Sequence, residues 1–226
     1  MSDHGKPVST FGYLGIMLGL GVIGCLGLTS RPALAESETR PLGSFSKLQI
    51  STGVTGTVVC GSPARAVVTA DPASGIQRLK TEIDGNTLTI RYRGMGFWSG
   101  SASVVITTPD PLEAIEASSG SALKVEGCSL SPSQLAIQAS SGASLTIGDG
   151  RSARVEIRGS SGASISANDL HADASQIEAS SGASIKACKL RASTSHASSG
   201  ASITTAKDSA NRAETSSGGS ISDSGC

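Results

Sequence analysis

In the second half of the chain the apolar positions keep step with a glycine. Leu123, Leu145, Ile165, Ile185, Ile203 and Ile221 stand three residues after Gly120, Gly142, Gly162, Gly182, Gly200 and Gly218. Ile115, Ile137, Ile157 and Ile177 stand five residues before the first four of these glycines, and Ser195 and Ala213 take that place in the last two copies. Small and polar residues lie between, so both flanks of the glycine alternate with the period of two that a strand imposes. The glycines are 22, 20, 20, 18 and 18 residues apart. So regular a period marks a repeat architecture. Each copy reads as a short strand, a Ser-Ser-Gly corner and a second short strand, and successive copies stack about 4.8 Å apart as neighbours in a parallel sheet. The expected fold is all-β, a solenoid of parallel strands.

The corner is nearly invariant for a steric reason. Glycine takes positive φ without cost, and small serines let stacked corners approach while their hydroxyls bond to backbone or to the next coil. The residue after the glycine is Ser121, Ala143, Ala163, Ala183, Ala201 or Gly219, never anything larger than serine. That restriction fits a packed interior. A serine nucleophile would need an oriented base beside it, and His171 and His196 hold no fixed place relative to the corner.

Residues 36–112 alternate as well, with longer spacings. Strands are predicted over Phe45–Ser51, Thr55–Val59, Ala66–Ala70, Asn86–Tyr92 and Ala102–Thr108, separated by Gly61-Ser62-Pro63, Asp71-Pro72, Asp84-Gly85-Asn86 and Pro109-Asp110-Pro111. Ser74 to Ile83 offers the one plausible helical turn. The segment is expected to form larger, irregular coils that cap the open end of the stack, since a bare edge would template aggregation. Residues 113–226 are then the repeat coils of the same domain.

Composition agrees with a solenoid. Only 3% of the 226 residues are aromatic and 28 are glycine, too little for a core of large rings, but coils bury aliphatic columns against their neighbours. The first 35 residues read as an export signal: Lys6, an apolar run from Phe11 to Leu28, and Arg31-Pro32-Ala33-Leu34-Ala35, a small-x-small cleavage site. Cleavage would start the mature chain at Glu36. A rival signal is the lipobox Val22-Ile23-Gly24-Cys25, in which Cys25 would be acylated. Without Asp3, Lys6 and Arg31 the mature chain carries 16 basic and 17 acidic residues, so nothing calls for nucleic acid or an anionic membrane surface.

Cys60, Cys128, Cys188 and Cys226 remain after export, and an even number in an exported chain suggests disulfides. Cys60 and Cys128 can meet where the N-terminal region joins the first coils. Cys188 and Cys226 sit two coils apart, about 9 to 10 Å along the axis, too far to bridge unless the tail folds back. Metal lacks support, with no Cys-x-x-Cys or His pair, and no cofactor is expected.

These residues resemble a family, the putative auto-transporter adhesins with a head GIN domain. Phe45-x-x-Leu48-x-Ile50 leading to Gly53, then Val58, Val59 and Gly61, Val67 to Ala70, and Glu82 to Ile90 carry the first part of the likeness; Leu112 to Ile115 and the Ser-Gly-Ala-Ser repeats carry the second. Together they span about residues 42–223. The resemblance implies a right-handed parallel β-helix, export, and a surface or periplasmic role named as adhesion. It brings no catalytic residues. The chain departs from the pattern in its last coils, where Ser195, Thr205, Ala213 and Asp223 replace aliphatics.

Three functions compete. A binding module would use the faces of the stack and the glycine-rich loop Arg93 to Gly100, where Phe97 and Trp98 either contact a surface glycan or protein ligand or fold down to plug the solenoid. A structural envelope protein would self-associate through the weak last coil. A polysaccharide-acting enzyme would need charged clusters in a side groove. Seven residues after the glycines, Asp149 and Asp169 are followed by Lys189 and Lys207, which reads as a solvated ladder. The expected protein is therefore a non-enzymatic, adhesion-like binding protein of the envelope.

Overall fold

The computed structural model describes residues 36–93, 100–206, 212–223 and 226. Its N-terminal strands are β1 (Glu36–Pro41), β2 (Lys47–Ile50), β3 (Thr55–Cys60), β4 (Arg65–Asp71), β5 (Leu79–Asp84), β6 (Thr87–Tyr92) and β7 (Ser101–Thr108). Paired repeat strands follow: β8 (Ala114–Ala117) with β9 (Ala122–Val125), β10 (Gln134–Ala139) with β11 (Ser144–Ile147), and β12 (Gly150–Gly159) with β13 (Ser164–Ser166). The last three pairs are β14 (Leu170–Ala179) with β15 (Ser184–Ala187), β16 (Leu190–Ala197) with β17 (Ser202–Thr205), and β18 (Ala213–Thr215) with β19 (Ser220–Ser222).

The first member of each repeat pair lies in one parallel sheet and the second in the other, so the two sheets form opposite walls of a β-solenoid. The front wall runs β18-β16-β14-β12-β10-β8-β2-β6-β5, and the back wall runs β1-β4-β7-β3-β9-β11-β13-β15-β17-β19.

The aliphatic columns are in register across the coils. On the front wall Leu88, Leu48, Ile115, Ile137, Ile157 and Ile177 stack in turn, then Ser195 and Ala213. On the back wall Val104, Gly56, Leu123, Leu145, Ile165, Ile185, Ile203 and Ile221 do the same. Ile137, Ile157 and Ile185 are fully buried, and each such side chain contributes roughly 1.5–3 kcal/mol of transfer free energy. Gly56 is required by the column itself, because a Cβ there would lie 2.7 Å from the Leu123 Cδ1. A further set of buried leucines, Leu112, Leu130, Leu170 and Leu190, fills the side of the interior away from the glycine corners. Its spacing of 18 to 20 residues was visible in the chain but is masked by Gly150, which takes the column's place between Leu130 and Leu170.

Coil order departs from chain order at the N-terminal end. β2 pairs directly with β8 and β3 with β9, so residues 47–60 form the coil next to the repeats. Thr52 and Gly53, with φ of 65° and 69°, make a corner of the same kind, and the Gly53 amide donates to the Ser119 carbonyl. The coil β6–β7 then lies outboard of β2–β3, parallel to it, although it follows it in sequence. Outside that coil the strands reverse: β5 is antiparallel to β6, β4 to β7 and β1 to β4. The expected helical turn between Ser74 and Ile83 is a 3-10 turn over Ala73–Arg78 that gives way to β5. Ile76 and Leu79 of this cap are buried in the core. Arg40 of β1 fastens it, donating to the carbonyls of Leu79 (2.6 Å) and Ile76 (3.0 Å) and to the Thr81 hydroxyl (3.0 Å).

Candidate ligand-binding groove

Register on the front wall places its outward side chains in a row as orderly as the buried one. Thr89, Gln49, Glu116, Gln138, Arg158, Glu178, His196 and Glu214 are consecutive neighbours, one per coil. The row is knitted by side-chain bonds. Gln49 Nε2 donates to Glu116 Oε2 at 3.0 Å, Arg158 Nε to Glu178 Oε2 at 3.1 Å, and Gln176 Nε2 to Glu178 Oε1 at 2.6 Å. Arg158 also pairs with Glu156, and His196 Nδ1 faces Glu214 Oε2 at 3.9 Å. The bond from Arg158 holds the Glu178 carboxyl below its ordinary range, with Gln176 assisting against partial burial.

A shallow groove runs beside this row, parallel to the solenoid axis. Glu116, Gln138, Arg158, Glu178 and His196 form one side, and the corner serines Ser140, Ser160, Ser180 and Ser198 form the other. Beneath lie Ala117, Ala139, Gly159 and Ala179, whose small size has a packing cause. A Cβ at Gly159 would meet the Ile185 Cδ1 at 3.2 Å and the Ala183 Cβ at 3.3 Å, so this position cannot carry a bulky inward residue. From Glu116 to His196 the groove covers four coil steps, about 19 Å. It offers carboxylate acceptors, amide and guanidinium donors, and hydroxyls that serve as both, repeated at the coil spacing.

The other sequence-derived positions are distributed elsewhere. Phe97 and Trp98 lie outside the described residues, as does Cys25 with the whole of residues 1–35. The loop that holds the two rings joins β6 to β7. Cys60 and Cys128 form a disulfide with Cα atoms 6.0 Å apart, and Cys188 and Cys226 form a second at 5.5 Å. The two-coil separation argued against this second pairing, yet the Cα atoms stand within the reach a disulfide needs. Cys60, Glu126 and Cys128 are the one metal-type grouping among the described residues, and the disulfide leaves it a single carboxylate. Lys189 and Asp169 pair at 2.8 Å on the surface, and the bond from Asp169, helped by its charge and that of Asp149, raises the Lys189 ammonium's pKa. The front-wall row escaped sequence reasoning. Its signal was the polar residue after each front-wall isoleucine, legible only once register was known.

The fold has relatives among solved structures. It is similar to a putative adhesin from Bacteroides fragilis, with 14% identity over 84% of this chain and 95% of that one, at a TM-score of 0.66. It is also similar to a putative adhesin from Parabacteroides distasonis, with 17% identity over 81% and 82% of the two chains, at a TM-score of 0.55. No curated protein matches the chain. The family pattern described as putative auto-transporter adhesin, head GIN domain, runs from residue 44 to residue 225, and the chain belongs to that family.

Proposed function

We propose that this is an exported, non-enzymatic binding protein of the bacterial cell envelope, and that an extended, hydroxyl-rich glycan lies along the front-wall groove. The observation that carries the reading is the unbroken row from Glu116 to His196 facing the corner serines. A linear chain of sugars presents alternating donors and acceptors over a length that a repeated polar groove can match. Mutual bonding within the row holds Arg158 and Glu178 in place before a ligand arrives, which lowers the ordering cost of binding. Phe97 and Trp98 would add ring contacts from the loop between β6 and β7.

The test presents the exported chain, both disulfides formed, to arrays of glycans and extracellular-matrix proteins. Two double variants run beside it, Gln138→Ala with Arg158→Ala and Phe97→Ala with Trp98→Ala, each checked for unchanged melting. Glycan binding lost in the first pair is the expected result. Loss in the second pair alone would move the site to the loop, and retention in both would overturn the groove assignment. No binding by the parent would leave a structural envelope role as the better reading.

A further inference from the structure

The serine side of the groove continues beyond Ser140 toward the N-terminal end of the front wall. The Ser140 amide donates to the Ala117 carbonyl, that of Ser118 to the Ile50 carbonyl and that of Ser51 to the Ile90 carbonyl, each at 3.0 Å. These bonds carry the register from Ser140 through Ser118 and Ser51 to Arg91. Arg91 in turn stands directly opposite Lys80 on β5. One step farther, the Arg93 amide donates to the Arg78 carbonyl at 2.7 Å. The serine ladder therefore ends in two facing pairs of basic residues.

Like charges set opposite each other weaken a sheet. Arg78, Arg91 and Arg93 are exposed, and Lys80 is partly buried. Lys80 pairs with Glu82 two residues along its strand. Partial burial, and behind it the charges of Arg91 and Arg93, lower the pKa of the Lys80 ammonium. Arg91 and Arg93 have no side-chain hydrogen bond or ion pair among the described residues. Within the groove the cations are already answered. Arg158 is shared between Glu156 and Glu178, and His196 faces Glu214. Uncompensated positive charge is thus concentrated where the ladder ends.

We propose that the glycan in the groove is acidic, and that a carboxylate or sulfate group at one end of it seats on Arg91 and Lys80 with Arg93 beside them. The inference rests on the groove reading and adds to it the charge and the direction of the ligand. The planar guanidinium of Arg91 matches the paired oxygens of either anion, and a bound anion relieves the repulsion between the facing cations. Three strand spacings separate the strand of Gln138 from that of Arg91, about 14 Å, so one short chain reaches both. Glu116 and Glu178 line the rest of the row and repel further acid groups. The neutral part of the chain therefore lies over Gln138 and the charged end over Arg91.

The test titrates the exported chain with linear hexasaccharides of glucose, mannose and galactose, each neutral, with a uronate at one end, or with a sulfate ester at one end. A chain bearing the acid group is expected to bind about tenfold more tightly than its neutral counterpart, and the uronate and sulfate arms tell which anion is preferred. Arg91→Gln, alone and with Lys80→Gln, is expected to erase that ratio. Lys124→Gln with Lys186→Gln, which removes two exposed charges from the back wall, is expected to keep it. Gln138→Ala with Arg158→Ala is expected to weaken neutral and acidic chains alike. Equal binding with and without the acid group overturns the inference and leaves the groove standing. Acidic chains held through Arg91 but indifferent to the Gln138 and Arg158 variant uphold the cationic seat and overturn the groove, and no binding of any chain overturns both. Capture by phosphatidylglycerol vesicles with no acidic chain bound assigns the seat to a lipid surface and overturns the proposal.

Discussion

The amide of Gly162 donates to the carbonyl of Ser181 on the next coil at 3.0 Å, and both residues sit at positive φ, 72° and 51°. The same bond joins Gly120 to Ser141, Gly142 to Ser161, Gly182 to Ser199 and Gly200 to Ser217. Within each corner the residue after the glycine donates back across the turn, as Ala163 does to Ser160 at 3.1 Å. Two successive residues of positive φ are the conformation of a type I′ turn. The corner is thus a backbone device: the left-handed serine turns its carbonyl along the axis to meet the next glycine. Hydroxyls contribute locally, as where Ser121 Oγ donates to the Ile50 carbonyl.

Positive φ at the serine makes its substitution informative. Ser161→Val should destabilise by about 1–2 kcal/mol, because a β-branched residue is strained in the left-handed region. Ser161→Asn should be neutral or slightly stabilising, since Asn-Gly suits a type I′ turn. Chemical denaturation of the two variants checks the order, and equal stability would show that the left-handed serine carries no strain.

The interior columns predict opposite effects at two of their positions. Ile165 is 1% exposed, so Ile165→Asp should abolish folding by burying an unpartnered charge. Ser195 is buried in the isoleucine column, and its hydroxyl has no hydrogen-bond partner among the described residues. Ser195→Ala should therefore raise stability by about 1 kcal/mol. A lower melting temperature for Ser195→Ala would mean that the hydroxyl is satisfied.

The Cys188–Cys226 bond spans 38 residues. Loop-closure entropy puts its stabilisation at about 4 kcal/mol, with measured values for disulfides usually 2–4 kcal/mol. Cys188→Ser with Cys226→Ser should lower stability by that amount and raise amide exchange in β17 and β19 more than in β10. Uniform loss of protection along the stack would show that the bond does not act on the last coils in particular.

Acid should weaken the protein through Glu178. The Arg158 hydrogen bond holds this carboxyl below its ordinary value of 4.5, so the unfolded chain takes up the proton first as pH falls. The contribution is complete above about pH 4.5 and disappears as pH falls through the folded-state value. The pair is partly exposed, so the effect is small and falls with added salt. In Arg158→Met the dependence of melting temperature on pH below 4.5 should flatten. An unchanged profile would place the acid sensitivity elsewhere.

Much of the architecture was legible because it is local and periodic. Alternation marked β3, β4, β6 and β7 to within a residue or two, and the glycine spacing marked every repeat strand through β19. Other elements were not legible. β1 and β5 have no alternation of burial strong enough to announce them, since they lie at sheet edges with much of their length exposed. Thr52-Gly53 lacks the serine phrase of the other corners yet takes their conformation, because stacking on Ser119 demands it.

The sequence by itself determined that the chain folds into stacked coils with aliphatic columns inside and a tight glycine corner in each. Periodicity and the steric limits of small residues are properties that any single copy displays. Only the tertiary structure decided that β6–β7 lies outside β2–β3, that Cys226 reaches Cys188, and that Glu116, Gln138, Arg158, Glu178 and His196 share one row. Strand pairing is made by backbone groups that are the same in every residue, so neither the order of coils nor the neighbours of a polar side chain is written in local pattern.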